Sequence, residues 1–255
     1  MYLRADHAES RLPALRSIIR SYPLGVLTTA IPSETQPFIQ ATHLPWLLDV
    51  QDESSDAELG VLRGHLARQN PHSKTMIDAV TARGDKTAVL EQDVMVLFTA
   101  TPAHYVTPKF YTETKPSTGK VVPTWNYAAA QVYGKAKIYY DAKSEETSDF
   151  LGRQITDLTN HTETSIMDYT GKNGRPGQWN VTDAPEKYID ILKKNIIGIE
   201  IQISKLEGKF KMSQEMSKGD RDGVVEGFAS LESDIGKAVS EVVQERSEMR
   251  EASKR

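Results

Sequence analysis

Residues 24–68, "LGVLTTAIPSETQPFIQATHLPWLLDVQDESSDAELGVLRGHLAR", decide what kind of fold this chain can adopt. Three runs rich in β-branched and apolar residues lie here: "LGVLTTAI" (24–31), "PFIQATHLPWLLDV" (37–50) and "LGVLRGHLAR" (59–68). The polar segments between them are too short for a crossover helix, which parallel neighbours require. Consecutive strands must therefore run antiparallel, and a doubly wound sheet is excluded. The insert "QDESSDAE" (51–58) reads as an exposed hairpin tip.

Upstream, Leu12, Leu15, Ile18, Ile19 and Tyr22 share one helical face, which predicts a helix over 8–22. Asp6 would cap it, with Glu9 in a capping box, and Pro23 and Gly25 would end it. Downstream, "NPHSKTMIDAVTARG" (70–84) has Asn70 to cap a helix, Pro71 at its first position and Gly84 as a stop. "VMVLFTATPAHYV" (94–106) reads as a buried strand. "VVPTWNYAAAQVYG" (121–134) reads as a strand continuing to Asp141, despite its proline and asparagine. Helices are predicted over 145–160 and 185–194, the second with Asp183 and Glu186 in capping-box positions. In "NIIGIEIQISKLEGKFKMS" (195–213), Ile197, Ile199, Ile201 and Ile203 alternate with Glu200, Gln202 and Ser204, the period of a half-buried antiparallel strand. From Asp220 the chain is charged and helical, with fraying expected after Glu248. The pattern is that of an α+β protein, an antiparallel barrel with peripheral helices.

Of the 255 residues 38% are hydrophobic and 26% charged, a globular composition, and the net charge of −4 argues against nucleic acid as the main partner. No apolar run approaches the roughly 20 residues needed to cross a bilayer. The N-terminus lacks the basic start and apolar block of a secretory signal. A cytoplasmic location is expected, with the nucleus as the alternative. The absence of cysteine excludes disulfides, thiolate metal sites and cysteine nucleophiles.

Four islands break the strand pattern. In "RGHLARQNPH" (63–72), period two sets Arg63 and His65 on one face and Arg68 on the other. Arg68 beside the helix start at Asn70 would suit an anion, unless it pairs with a carboxylate and the cap serves the helix alone. His43, in "ATHLPW" (41–46), is either a hydrogen-bonded core residue or a ligand. In "VPTWNY" (122–127), alternation places Thr124 with Asn126, and Trp125 with Tyr127. Buried amides there would need polar partners. "GKFKMSQEM" (208–216) offers two lysines, Lys209 and Lys211, and the pair Ser213-Gln214, or else a solvated edge. No nucleophile elbow, phosphate-binding loop, dinucleotide fingerprint or histidine-rich metal motif occurs, so no catalytic residue and no metal ligand is assigned.

"THLPW", "GVLRGHLARQNPH", "VLFTATPAHYVTPKFY", "KVVPTWNYAAAQVYG", "APEKYIDILKKNIIGIEIQISKLEGKFKMSQ" and "DRDGVVEGF" occur in order. Together they resemble the PaiB-type family of FMN-binding split-barrel proteins, often labelled negative transcriptional regulators. Departures fall at Lys109-Phe110, Gln131 and Glu215. The resemblance implies a split β-barrel over residues 1–230 and a homodimer with flavin at the subunit interface; the acidic insert at 51–58 and the charged helical tail over 231–255 are additions to the family pattern. Placed on the matching islands, the residue chemistry offers Arg68, the helix start at Asn70, Lys120 and Lys209 for the phosphate. Thr124 and Asn126 would meet ring or ribitol edges, Trp125 and Tyr127 would stack, and Ser213 and Gln214 complete the set. In a related haem-binding branch, His43 or His65 would be the axial ligand. The resemblance leaves an oxidoreductase and a regulator both open.

Overall fold

The computed structural model describes residues 1–84 and 87–253. In chain order its elements are β1 (Ala8–Glu9), α1 (Leu12–Ser21), β2 (Leu24–Ala30), β3 (Ile39–Pro45), β4 (Leu47–Asp49) and β5 (Val61–Ala67). There follow α2 (Pro71–Ala82), β6 (Val94–Val106), α3 (Thr114–Thr118), β7 (Thr124–Tyr139) and α4 (Glu145–His161). The last are α5 (Glu186–Lys194), β8 (Ile196–Lys211), α6 (Lys218–Ala229) and α7 (Asp234–Ser253). The chain forms two compact units, one of residues 1–15, 99–130 and 207–255, the other of 16–98 and 131–206.

In the second unit the strands follow the order β3-β2-β6-β7-β8-β5-β4. The ladders are antiparallel, with Leu24 opposite Pro45, Thr28 opposite Met95, Leu47 opposite Arg63 and Val61 opposite Gln202. β3 and β4 occupy opposite ends of this order, yet only Trp46 separates them in the chain. The sheet must therefore curl until its ends meet at Trp46, which is what makes it a barrel. Trp46 is buried, and its main-chain N–H donates to the Pro23 carbonyl at 2.9 Å. The isoleucines of the alternating stretch, Ile197, Ile199 and Ile201, fill the inside together with Leu27, Val96 and Val132. The α+β split-barrel class expected from the sequence is the class observed.

α2 lies as predicted, with the Asn70 Oδ1 accepting from the His72 N–H at 2.9 Å. Its buried face carries His72, whose Nε2 is 2.8 Å from the Thr29 hydroxyl and whose Nδ1 is 2.9 Å from the Thr42 hydroxyl. Burial pushes the His72 pKa down to about 4. α4 covers the outer face of β5, where Arg63 bonds Asp49, Gln154 and Asp157.

Three boundaries differ from the sequence reading. The first helix starts at Leu12, not Ala8, because Ala8 and Glu9 pair with Lys209 and Gly208 as β1, and Glu9 turns its carboxylate to the Arg11 N–H. The capping box near 183 belongs to the turn Val181–Asp183, where the Asp183 carboxylate accepts from the Asn180 N–H at 2.8 Å. α5 itself begins after Pro185 with no side-chain cap. The final helix continues past Glu248 to Ser253, held by Arg221, which donates to Ser247 and Glu251.

Two outcomes follow. At Gly64 an added Cβ would lie 2.9 Å from the Trp46 ring and 3.0 Å from Leu44, at the point where the barrel closes. Gly64→Ala will destabilise the chain by about 1–3 kcal/mol, read from its urea midpoint. His72 is the most strongly shifted histidine, and burial lowers the His65 pKa in the same direction. In the unfolded chain His72 protonates near its ordinary value of 6.5, whereas folded it resists protonation to about 4. Stability is therefore constant above that ordinary value and falls through the interval down to about 4, by roughly 2–3 kcal/mol. His72→Gln will flatten this part of the profile in urea melts across the same range.

Candidate functional site

The site is a cleft of about 500 Å³ in the first unit, lined by Thr124, Trp125 and Tyr127 from β7, Lys209 and Lys211 from β8, and Tyr2, Arg4, His7 and Glu215. Period two at the end of β8 points both lysines to the same side. Lys211 donates from Nζ to the Thr124 hydroxyl and, at 2.9 Å, to the Trp125 carbonyl. Lys209 is buried and donates to the Tyr2 carbonyl at 3.3 Å. Its ammonium sits 5.6 Å from the Tyr127 ring centre and 5.8 Å from that of Tyr2, within the range of cation–π attraction.

Burial lowers the Lys211 pKa, and the neighbouring Lys209 lowers it further against the opposing effect of Glu215. Burial alone would raise the Glu215 pKa, but the His7 Nε2 at 2.9 Å and the Lys211 charge hold it below its usual range. The cleft thus gathers two ammonium groups and one ionised carboxylate between flat aromatic rings. Trp125 is 57% exposed at its rim and meets Tyr105 edge-on, with ring centres 6.3 Å apart.

Behind the lysines, Asn126 is fully buried. Its Oδ1 accepts from the Ser213 hydroxyl at 3.2 Å, while its Nδ2 has no hydrogen-bond partner. Ser213 holds φ at +63°, a left-handed conformation uncommon for serine. That turn swings the chain out of β8, and Glu215 returns toward His7. Gln214 closes the turn on itself, accepting from the Met212 N–H at 2.6 Å and donating to the Phe210 carbonyl at 2.7 Å.

The sequence-derived candidates therefore divide. Thr124, Trp125, Tyr127 and Lys209 meet in the cleft, with Asn126, Ser213 and Gln214 in its support. Thr124 lines the cleft together with Trp125 and Tyr127, whereas Asn126 is buried. Lys120 lies exposed in the segment before β7 and does not line the cleft.

His43, His65, Arg68 and Asn70 belong to the second unit. His43 is exposed on β3. His65 lies on the Arg63 side of β5, with its pKa lowered by burial and its Nδ1 without a partner. Arg68 spends its guanidinium on the carbonyls of Lys194 at 3.1 Å, Tyr140 at 2.5 Å and Ile196 at 3.4 Å, tying the end of β5 to the turn before β8. Asn70 caps α2. Lys211 was offered by the sequence as the second lysine of its segment without being assigned to the phosphate, and Glu215 only as a departure from the family pattern; His7, Tyr2 and Arg4 are cleft residues for which the sequence held no signal.

The segment leading into β7 is anchored by the buried Asp220. Its Oδ1 accepts from the Glu113 N–H at 2.9 Å and the Thr114 N–H at 3.0 Å, and its Oδ2 accepts from the Thr114 hydroxyl. The Glu113 carboxylate returns the bond to the Gly219 N–H at 2.9 Å. Asp220→Ala will cost about 1–3 kcal/mol and will speed amide exchange and tryptic cleavage across residues 113–123, while α2 keeps its protection.

A family described as "Putative FMN-binding domain" matches residues 1–205. A protein of Emericella nidulans is 57% identical over 98% of this chain and 99% of its own. Protease synthase and sporulation protein PAI 2 of Bacillus subtilis is 24% identical over 81% of this chain and 80% of its own. Among solved structures, the FAD and heme binding protein from Mycobacterium smegmatis aligns with a TM-score of 0.46 at 12% identity, covering 80% of this chain and 73% of that one.

Proposed function

The chain belongs to the family of that FMN-binding domain, and on this premise we propose that the lysine cleft holds FMN. The observation that carries the proposal is the pair Lys209 and Lys211, two ammonium groups brought together in a partly desolvated cleft between Trp125, Tyr127 and Tyr2. Like charges at close range cost free energy that a phosphate dianion would recover. The exposed Trp125 and the Tyr127 ring supply flat surfaces for an isoalloxazine, and the unpartnered Asn126 Nδ2 is a donor in want of an acceptor. Arg68 is left out of the proposed set, since its donors already serve main-chain carbonyls.

When bound, the flavin supplies two-electron redox chemistry, and the protein's part is to bind and orient it. Lys209 and Lys211 would neutralise the phosphate. Thr124 and the Trp125 carbonyl hold the Lys211 ammonium in place, and the His7–Glu215 pair keeps a negative charge behind it. Activity as an oxidoreductase fits this arrangement better than a DNA-binding role, which the acidic balance of the chain opposes. The exposed rim of Trp125, Tyr105 and Val122 is the kind of apolar surface that a second protomer covers, in keeping with a homodimer.

Titration of the full chain with FMN, followed by quenching of flavin fluorescence, will show saturable uptake. Lys211→Met and Lys209→Met will weaken it about 10–100-fold, as loss of a charge-assisted contact does. Arg68→Gln will lower stability and leave flavin affinity as it was. A haemin titration run beside it tests the alternative: a Soret band lost in His43→Ala or His65→Ala, with no flavin uptake, would overturn the proposal.

A further inference from the structure

A second cavity of the first unit, about 570 Å³, lies against the opposite face of the end of β8: Phe210 lines it, whereas Lys209 and Lys211 line the cleft already described. Asp6, Glu9 and Arg11 contribute from the N-terminal segment and Arg246 and Arg250 from α7. We propose that this cavity binds a small oxyanion, the phosphate of a monoester or a carboxylate, between Arg246 and Arg250. Both arginines lie beyond residue 205, where the family match ends.

The argument starts from unsatisfied donors. Arg246 is 9% exposed, with its guanidinium 3.5 Å from the Phe210 ring centre and its Nη1 donating to Glu9 Oε2 at 2.8 Å, yet its Nε has no hydrogen-bond partner. Arg250 Nη1 is likewise buried without one, its nearest carboxylate oxygen, Asp6 Oδ1, standing 3.7 Å away. A buried donor left unpaired costs about 1–3 kcal/mol, more when it carries charge. Guanidinium groups present their donors in a planar fork that matches the oxygens of a phosphate or carboxylate.

The acids of the cavity are already in use. Glu9 accepts from the Arg11 N–H at 3.0 Å, from Arg11 Nε at 2.9 Å and Nη2 at 2.7 Å, and from Arg246. Burial by itself would raise its pKa, but these bonds carry it down to about 2, so it stays ionised and saturated. Asp6 is engaged by Arg4 at 3.0 Å, and the His7 Nε2 faces Glu215 rather than the cavity. Among the lining residues three guanidinium groups face two carboxylates, and Glu245 acts on Arg11 from outside the cavity, so the free donors of Arg246 and Arg250 rather than a net charge mark the place for an anion. Arg246 and Arg250 are one turn apart on the same face of α7, the spacing that lets two side chains converge on one group.

If these arginines only staple α7 to the N-terminal segment, anions will have no specific effect. The test is calorimetric titration of the full chain with ethyl phosphate and with acetate, at constant ionic strength and with chloride as the control. Saturable uptake of one or both is expected, and the tighter binder identifies the source of the oxyanion. Arg250→Gln, at a partly exposed position, will keep the wild-type far-UV spectrum and thermal midpoint and lose about tenfold in affinity. Arg250→Lys will recover part of it. Lys211→Met will keep a saturable site that Arg250→Gln weakens, whatever phosphate binding it loses in the lysine cleft. The proposal is overturned if neither probe binds beyond chloride, if Arg250→Gln binds as the wild type does, or if Lys211→Met abolishes uptake, which would place the anion in the lysine cleft.

Discussion

The fold depends on a single buried side chain placed between two strands at opposite ends of a sheet. β3 and β4 are neighbours in the chain and lie at opposite ends of the strand order, so Trp46, the residue between them, must sit where the sheet closes. A closed sheet has no free edge, and the usual hazard of exposed ladder groups is removed along that seam. Closure also sets what the neighbours can be. Gly64 faces the Trp46 ring with no room for a Cβ, and Leu44 crowds the same point. The barrel's inner face is then aliphatic where Ile197, Ile199 and Ile201 line it, their main-chain groups being paired in the ladders.

Polar groups buried in the second unit are met in part. His72 is enclosed, and each ring nitrogen meets a threonine hydroxyl, which can donate to one nitrogen and accept from the other. Arg63 is enclosed by two aspartates and a glutamine. Arg68 donates to three carbonyls. Arg16 Nε, Trp46 Nε1, His65 Nδ1 and Gln131 Oε1 are nevertheless buried there without partners. The first unit has Asn126 Nδ2, Arg246 Nε and Arg250 Nη1 in that condition, and what sets it apart is that Lys209 and Lys211 share a cleft with one carboxylate. Crowded cations carry a cost of their own, and such costs are common at sites that meet a ligand.

How much of this was legible in the sequence depended on whether the cause was local. The strands of residues 24–68, the cap at Asn70 and the alternating isoleucines were readable, since turn chemistry and period two act over a few residues. The start of α1 was not, because Ala8 and Glu9 are recruited by Lys209 and Gly208 from far along the chain, and nothing local announces it. At the site, "VPTWNY" and "GKFKMSQ" were recognisable as departures from strand grammar, and their residues do meet. At Arg68 the sequence left an anion and a structural pairing both open, and the structure places three main-chain carbonyls at its guanidinium. The pairing of His7 with Glu215 carried no signal, since it joins opposite ends of the sequence.

The end of β8 shows how one short segment can serve two sites. Period two sends Lys209 and Lys211 to one side and Phe210 to the other, so the lysine cleft and the arginine cavity share a strand without sharing the side chains that mark them. The left-handed turn at Ser213 then brings Glu215 back to His7, and His7 borders both cavities. A charge arriving on either side therefore acts on the same imidazole–carboxylate pair. Because the groups are partly desolvated, that influence is screened less than it would be at an open surface. Glu215 bonds His7 and lies within electrostatic reach of Lys211, so its one carboxylate ties together residues that border the two cavities.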